Sequence, residues 1–245
     1  MKNHSCIYFR SGRFTARLQT PINDVIELVK AYYPTEEKSS ATIDFDIQLL
    51  PSTGLRRLVK PQVRYICNGI EAFNALPLAQ AYPMLEWGLN WSVTQRFNEA
   101  LVIHAAVLEK NNKAVILPGV PGAGKSTLCA ALTHGGGWRL LSDELTLYSH
   151  QTNKVLPNPR PISLKNQSIS LIKEQFNVEM TPVVNDTLKG SVSHTKPPES
   201  SLEQVNRDVQ PSHIIFPRYN PLMSKQDISK SEQAKSEYFV KLADN

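Results

Sequence analysis

Glycine is scarce in this sequence, with 11 residues in 245, yet six of them (Gly119, Gly122, Gly124, Gly135, Gly136 and Gly137) fall between positions 119 and 137. Unusual backbone geometry is therefore concentrated in one stretch. Cysteine is rarer still. Cys6, Cys67 and Cys129 are odd in number and far apart, with no CxxC pair, which excludes a disulfide framework and gives no zinc or redox-dithiol spacing. No apolar run approaches the ~20 residues of a transmembrane helix. Arg10 interrupts the amino terminus before a signal-peptide core can form, so the expectation is a cytoplasmic chain with no membrane partner. Basic residues outnumber acidic ones by only 27 to 22, spread over both halves. That balance offers no basic stripe for nucleic acid. No internal repeat is visible.

What is present describes a globular chain: 41% of residues are apolar and 20% charged, enough to bury one large core or two small ones. Residues 6–19, 41–50 and 56–67 mix alternating and β-rich patterns around a helical segment near 22–33, which together predict an α+β unit over residues 1–100. Residues 78–98 read as a helix interrupted or started near Pro83, with Leu85, Leu89 and Trp91 facing a core. From position 101 the pattern changes. LVIHAAVLE, a polar NNK turn and KAVILPG predict two strands joined as a hairpin. The order continues as glycine loop, helix over 127–134 and strand through WRLLSDELTLYS, so 101–245 is expected to form a second, α/β domain. Residues 191–211 are polar and proline-containing and read as a mobile loop.

Gly119-Val120-Pro121-Gly122-Ala123-Gly124-Lys125-Ser126 matches GxxxxGK[ST], preceded by an apolar strand and followed by a helix that Thr127 continues. The glycines let backbone amides turn inward around phosphate oxygens, and the helix start adds unpaired amides and a positive dipole end. Lys125 would then reach the β- and γ-phosphates of ATP, and Ser126 would place its hydroxyl on Mg²⁺. The competing reading is a glycine turn that only caps a helix. Asp143 and Glu144 follow the strand residues Leu140 and Leu141 only 18 positions after Lys125, a layout that matches small kinases better than motor-type ATPases. One carboxylate of such a pair would hold Mg²⁺ and one would orient or deprotonate an incoming hydroxyl. A solvated acidic pair at a strand end is the alternative.

The segments HAAVLEKNNKAVILPGVPGAGKSTLCAALTHGGGWRLLSDELTLY, PNPRPISLKNQSI, NDTLKG and FPRY resemble the HPr kinase/phosphorylase superfamily, nearest to its HPr kinase-related kinase A branch, over residues 104–220. The resemblance implies an α/β fold: a P-loop nucleotide-binding domain with a mixed sheet, of the kind shared with phosphoenolpyruvate carboxykinase, behind a smaller α+β amino-terminal unit. It implies ATP and Mg²⁺ as cofactors and a protein serine as acceptor. It puts the catalytic base on Asp143, leaves Glu144 near the metal, and adds His104 on the strand before the loop as a residue that orients the acidic side chain. A packed strand histidine is the alternative for His104.

Arg160, Lys165 and Asn166 lie on a proline-stiffened approach to a helix, from which a cation could neutralise the transferring phosphoryl group; Arg160 is the candidate, with a surface loop and ordinary capping by Asn166 as the alternative. Asp186, Thr187, Lys189, Gly190 and Arg218 also match the resemblance without an assigned role. The departures are Asp-Glu where HPr kinases carry Asp-Asp, and a chain that stops at Asn245 where related members continue into a helical part, which implies a truncated domain. The hexamers of HPr kinases imply a homo-oligomer. Two other functions compete with a protein kinase: a nucleotide-binding regulatory module without turnover, and a kinase for a small molecule such as free serine.

Overall fold

A computed structural model describes residues 5–36, 42–54 and 59–219. The first sheet comes from the first third of the chain. Strands β1 (Ser5–Ser11) and β2 (Phe14–Thr20) form a hairpin, followed by helix α1 (Asn23–Tyr32) and strands β3 (Thr35–Glu36), β4 (Phe45–Pro51), β5 (Gln62–Cys67), β6 (Ile70–Glu71) and β7 (Leu76–Pro77). Their order is β3-β1-β2-β4-β5-β6, with β7 also on β5; β2 and β4 run parallel and the other pairs antiparallel. Alternation puts Phe9, Leu18, Ile47, Leu49 and Tyr65 on one face, all fully buried.

Helix α2 (Ala81–Arg96) covers that face, and Leu85 and Leu89 are fully buried while Trp91 packs at the edge of the cluster. Pro83 lies in the first turn, where its missing amide hydrogen breaks no helical bond. The sequence reading of 78–98 therefore holds, with a short 3-10 turn over Leu78–Gln80 ahead of the helix.

The second sheet holds β8 (Leu101–Lys110), β9 (Lys113–Pro118), β10 (Arg139–Ser142), β11 (Leu145–Ser149), β12 (Lys154–Leu156) and β16 (Gln210–Ile214) in the order β12-β11-β8-β9-β16, with β10 also on β8. It is mixed, because β16 runs parallel to β9 while β8 runs antiparallel to it. Helix α3 (Lys125–Gly135) packs on one face over Ala106, Leu108, Leu117 and Leu140. A third sheet, β13 (Ile162–Lys165), β15 (Gly190–Thr195) and β14 (Val184–Thr187), sits beside helix α4 (Gln167–Phe176). With the short α5 (Glu199–Glu203), the described residues carry five α-helices and three sheets, an α/β architecture. No helix among them is long and apolar enough to cross a membrane.

The boundary near residue 100 separates the sheets but not the cores. Leu145, Leu147 and Leu156 of the second sheet pack in the cluster that α2 and the first sheet form.

The reading of 191–211 as a mobile loop is wrong. Val192, Ser193, His194, Thr195, Ser201, Val205 and Val209 are buried. Polar composition misled because strand pairing orders residues up to Thr195, in β15, and side chains from elsewhere hold the residues after it. Buried Arg139 donates to the carbonyls of Gln204 (2.9 Å) and Arg207 (3.1 Å), and Ser201 Oγ accepts from the Leu140 amide at 3.0 Å. Asn166 is a second correction. It precedes α4 in a positive-φ conformation without a side-chain cap bond, and its Oδ1 instead accepts from the Ser191 amide at 3.1 Å. Residue 41, residues 56–58 of the predicted strand segment, and the segment reaching Asn245 lie outside the described residues.

Candidate functional site

The glycine loop begins where β9 ends. Gly122 and Gly124 adopt positive φ of 86° and 90°, a region that L side chains rarely enter, so these two glycines allow the loop to turn back over the helix start. The first helical bond of α3 runs from the Leu128 amide to the Gly124 carbonyl at 2.9 Å. The amides of Lys125, Ser126 and Thr127 ahead of it have no partner within the helix and point out of its positive end. Val120, Pro121 and Gly122 are exposed, Gly119 is buried, and Ala123 to Thr127 are half-buried. The Lys125 ammonium folds back on the loop and donates to the carbonyls of Gly119 and Val120. Burial lowers the Lys125 pKa, while the carboxylates of Asp143 and Glu144 oppose that fall.

The acidic pair occupies the break between β10 and β11, which share β8 as partner: β10 pairs with Val107–Glu109 and β11 with Leu101–His104. A strand that changes its place on one partner must bend, and the Leu145 amide closes the bend on Ser142 Oγ at 3.2 Å. The hairpin register between β8 and β9 ends with Ala105 opposite Pro118. The next residues on the two strands are His104 and Gly119, so the bend, the histidine and the loop gather at one end of the sheet.

Asp143 is 4% exposed. Its Oδ2 accepts from the Ser163 amide at 3.0 Å, and its buried Oδ1 has no partner among the described residues. Burial first, and the neighbouring Glu144 charge second, push its pKa up to about 7 against the pull of the Ser163 amide and the Ser126 hydroxyl. Glu144 behaves oppositely. Burial would raise its pKa, but Lys189, Lys165, Arg160 and His104 together hold it below the usual range. Two adjacent carboxyls are thus driven apart, one toward the neutral form and one kept charged. His104 lies on the rim. Desolvation and the Lys125 ammonium lower its pKa, against the pull of Glu144, which leaves a neutral ring at neutral pH.

Arg160 reaches the same pocket but is already engaged. Its guanidinium donates to Glu86 Oε2 at 2.7 Å, to the Glu86 carbonyl at 2.8 Å and to Asn90 Oδ1 at 2.5 Å. Burial works against its charge, yet the Tyr33 hydroxyl and the Glu86 carboxylate outweigh burial and raise its pKa. Lys189, on the turn between β14 and β15, stacks 5.3 Å from the Trp87 ring centroid; burial lowers its pKa and Glu144 resists.

The structure therefore brings together Gly119 to Thr127, His104, Asp143, Glu144 and Arg160. Asp186 and Thr187 shape the β14–β15 turn, in which Thr187 Oγ1 donates to the Gly190 carbonyl at 2.7 Å. Arg218 is exposed beyond β16, and its neighbour Tyr219 stands beside Gly124. Sequence reasoning missed Glu86, Trp87, Asn90 and His194, which line the pocket around Asp143 and Glu144. The available signal was Glu86 and Asn90, two polar residues four positions apart in the otherwise apolar stretch 83–91 of the helix. No group of three or more His, Cys, Asp or Glu side chains is gathered for a metal among the described residues.

Comparison with known protein families and with curated proteins finds no match for the chain.

Proposed function

We propose that the chain is an HPr kinase-like phosphotransferase with a P-loop domain, which moves the γ-phosphoryl group of ATP to a hydroxyl of a protein serine. One observation carries this reading: a carboxyl with a free, buried oxygen and a pKa near 7 stands beside Ser126, next to a lysine and three open amides at a helix start. The amides of Lys125 to Thr127 and the Lys125 ammonium would take the phosphate tail, once the ammonium leaves the Gly119 and Val120 carbonyls. Asp143, in its deprotonated form, takes the acceptor proton as the new P–O bond forms and the bond to the bridging oxygen of ADP breaks.

The donor set suits Mg²⁺. A hydroxyl and a carboxylate with an unpartnered oxygen are hard ligands, and this ion needs few from protein. Ser126, Asp143 and Glu144 would hold it, and when bound it supplies charge neutralisation on the β- and γ-phosphates. His104 remains a neutral neighbour that orients the acidic side chains. Arg160 acts through Asn90 and Glu86 rather than as a free cation, and the charge on the transferring group falls to Lys125, with Lys165 and Lys189 facing Glu144.

Incubation of the protein with γ-labelled ATP, Mg²⁺ and host lysate tests the reading. Label should appear on protein serine, and Lys125→Ala should reduce it about 100-fold. Label confined to a free metabolite, or absent while ATP binds, would replace it.

A further inference from the structure

The pocket beside the acidic pair is not built by the second unit alone. Glu86, Trp87 and Asn90 project into it from α2, the helix that forms the core of the first unit. Asn90 is the joint. Its Nδ2 donates to Glu144 Oε2 and its Oδ1 accepts from Arg160, the one amide orientation in which a carboxylate and a guanidinium are both satisfied. Arg160 continues to Glu86, whose second oxygen accepts from the Tyr33 hydroxyl at 2.6 Å. An unbroken chain of polar contacts thus runs from Tyr33, at the end of α1, through Glu86, Arg160 and Asn90 to Glu144.

We infer that Asn90 is a positioning residue for the metal-side carboxylate Glu144, so that the amino-terminal unit completes the phosphotransfer site. The inference rests on the function proposed above. It also accounts for glutamate at this position: the side chain that meets Asn90 carries one methylene more than aspartate and reaches across to α2. Tying one carboxylate oxygen fixes the direction of the other, and outer contacts of this kind are worth 10- to 100-fold in metal affinity.

The test uses the full chain, ATP and Mn²⁺ as a spectroscopically visible substitute for Mg²⁺. Paramagnetic resonance measures Mn²⁺ bound to the protein–ATP complex, and a fluorescent ATP analogue measures nucleotide binding without metal. Asn90→Ala should weaken Mn²⁺ binding about ten-fold or more and leave metal-free nucleotide binding unchanged. The pair Asn90→Ala with Glu144→Gln should be no worse than Glu144→Gln alone, because both changes cut one link. Asn90→Ser, too short to span both partners, should repeat the loss and serves if the alanine variant does not fold. Wild-type Mn²⁺ affinity in the Asn90 variants, or losses that multiply in the pair, would overturn the inference while the phosphotransfer reading stands. If the wild type binds neither nucleotide nor Mn²⁺, that reading falls and this inference falls with it.

Discussion

Asp143 shows how one residue can be expensive for the fold and useful in a site. Its carboxyl ionises near pH 7 in the folded chain and near 3.9 when unfolded. The unfolded state therefore loses its proton first, and folding stability falls as pH rises from about 4 through 7. Removing the charge should reverse this: in metal-free buffer, Asp143→Asn should stabilise the protein by about 2–4 kcal/mol at pH 8.5, with the gap narrowing toward pH 5. Thermal melts at the two pH values check it, and a gap that does not change with pH would contradict the assigned environment. The Arg160–Glu86 pair makes the opposite prediction. Both partners are buried, at 7% and 3% exposed, so Glu86→Ala strands a guanidinium and should cost about 3–5 kcal/mol in denaturant unfolding. A loss below about 1 kcal/mol would mean that water reaches the pair.

At the scale of elements, the strand–loop–helix run from β9 to α3 was legible because glycine positions and apolar flanks are local signals. The bend at Asp143 was legible only as a strand followed by acids. That β10 and β11 share β8 is a fact of pairing, which one sequence does not encode locally. The stretch 191–211 was misread for a related reason: its first part is held by pairing with β13 and β14, and residues 201–207 by Arg139 and Leu140, more than fifty positions away, where composition gives no hint. Helix α2 was recognised, but its polar residues Glu86 and Asn90 have meaning only opposite Arg160 and Glu144. The same helix carries a packing constraint at Gly88, where a methyl would run into the Tyr65 ring. Gly88→Ala should therefore destabilise the chain by about 1–3 kcal/mol despite alanine's better helix propensity. A chemical denaturation curve decides, and a stabilised variant would show that α2 can shift away from β5.

For the whole molecule, the first two sheets divide near residue 100 while their interior is shared. Leu145, Leu147 and Leu156 lie in the first unit's cluster, and the polar chain from Tyr33 to Glu144 crosses the same boundary. A core held in common predicts cooperative unfolding. Tryptophan fluorescence, which reports α2 through Trp87 and Trp91 and the core under α3 through Trp138, and far-ultraviolet dichroism should follow one transition with one midpoint. Two separated midpoints would show that the units melt independently. The account as a whole turns on whether the loop from Gly119 to Thr127 holds a triphosphate beside Asp143. Equilibrium binding of a fluorescent ATP analogue to wild type, Lys125→Ala and Asp143→Asn addresses that directly: the lysine variant should lose binding about ten-fold or more, while the aspartate variant should keep metal-free binding within about two-fold. Unchanged binding in Lys125→Ala, or no binding by the wild type, would contradict it.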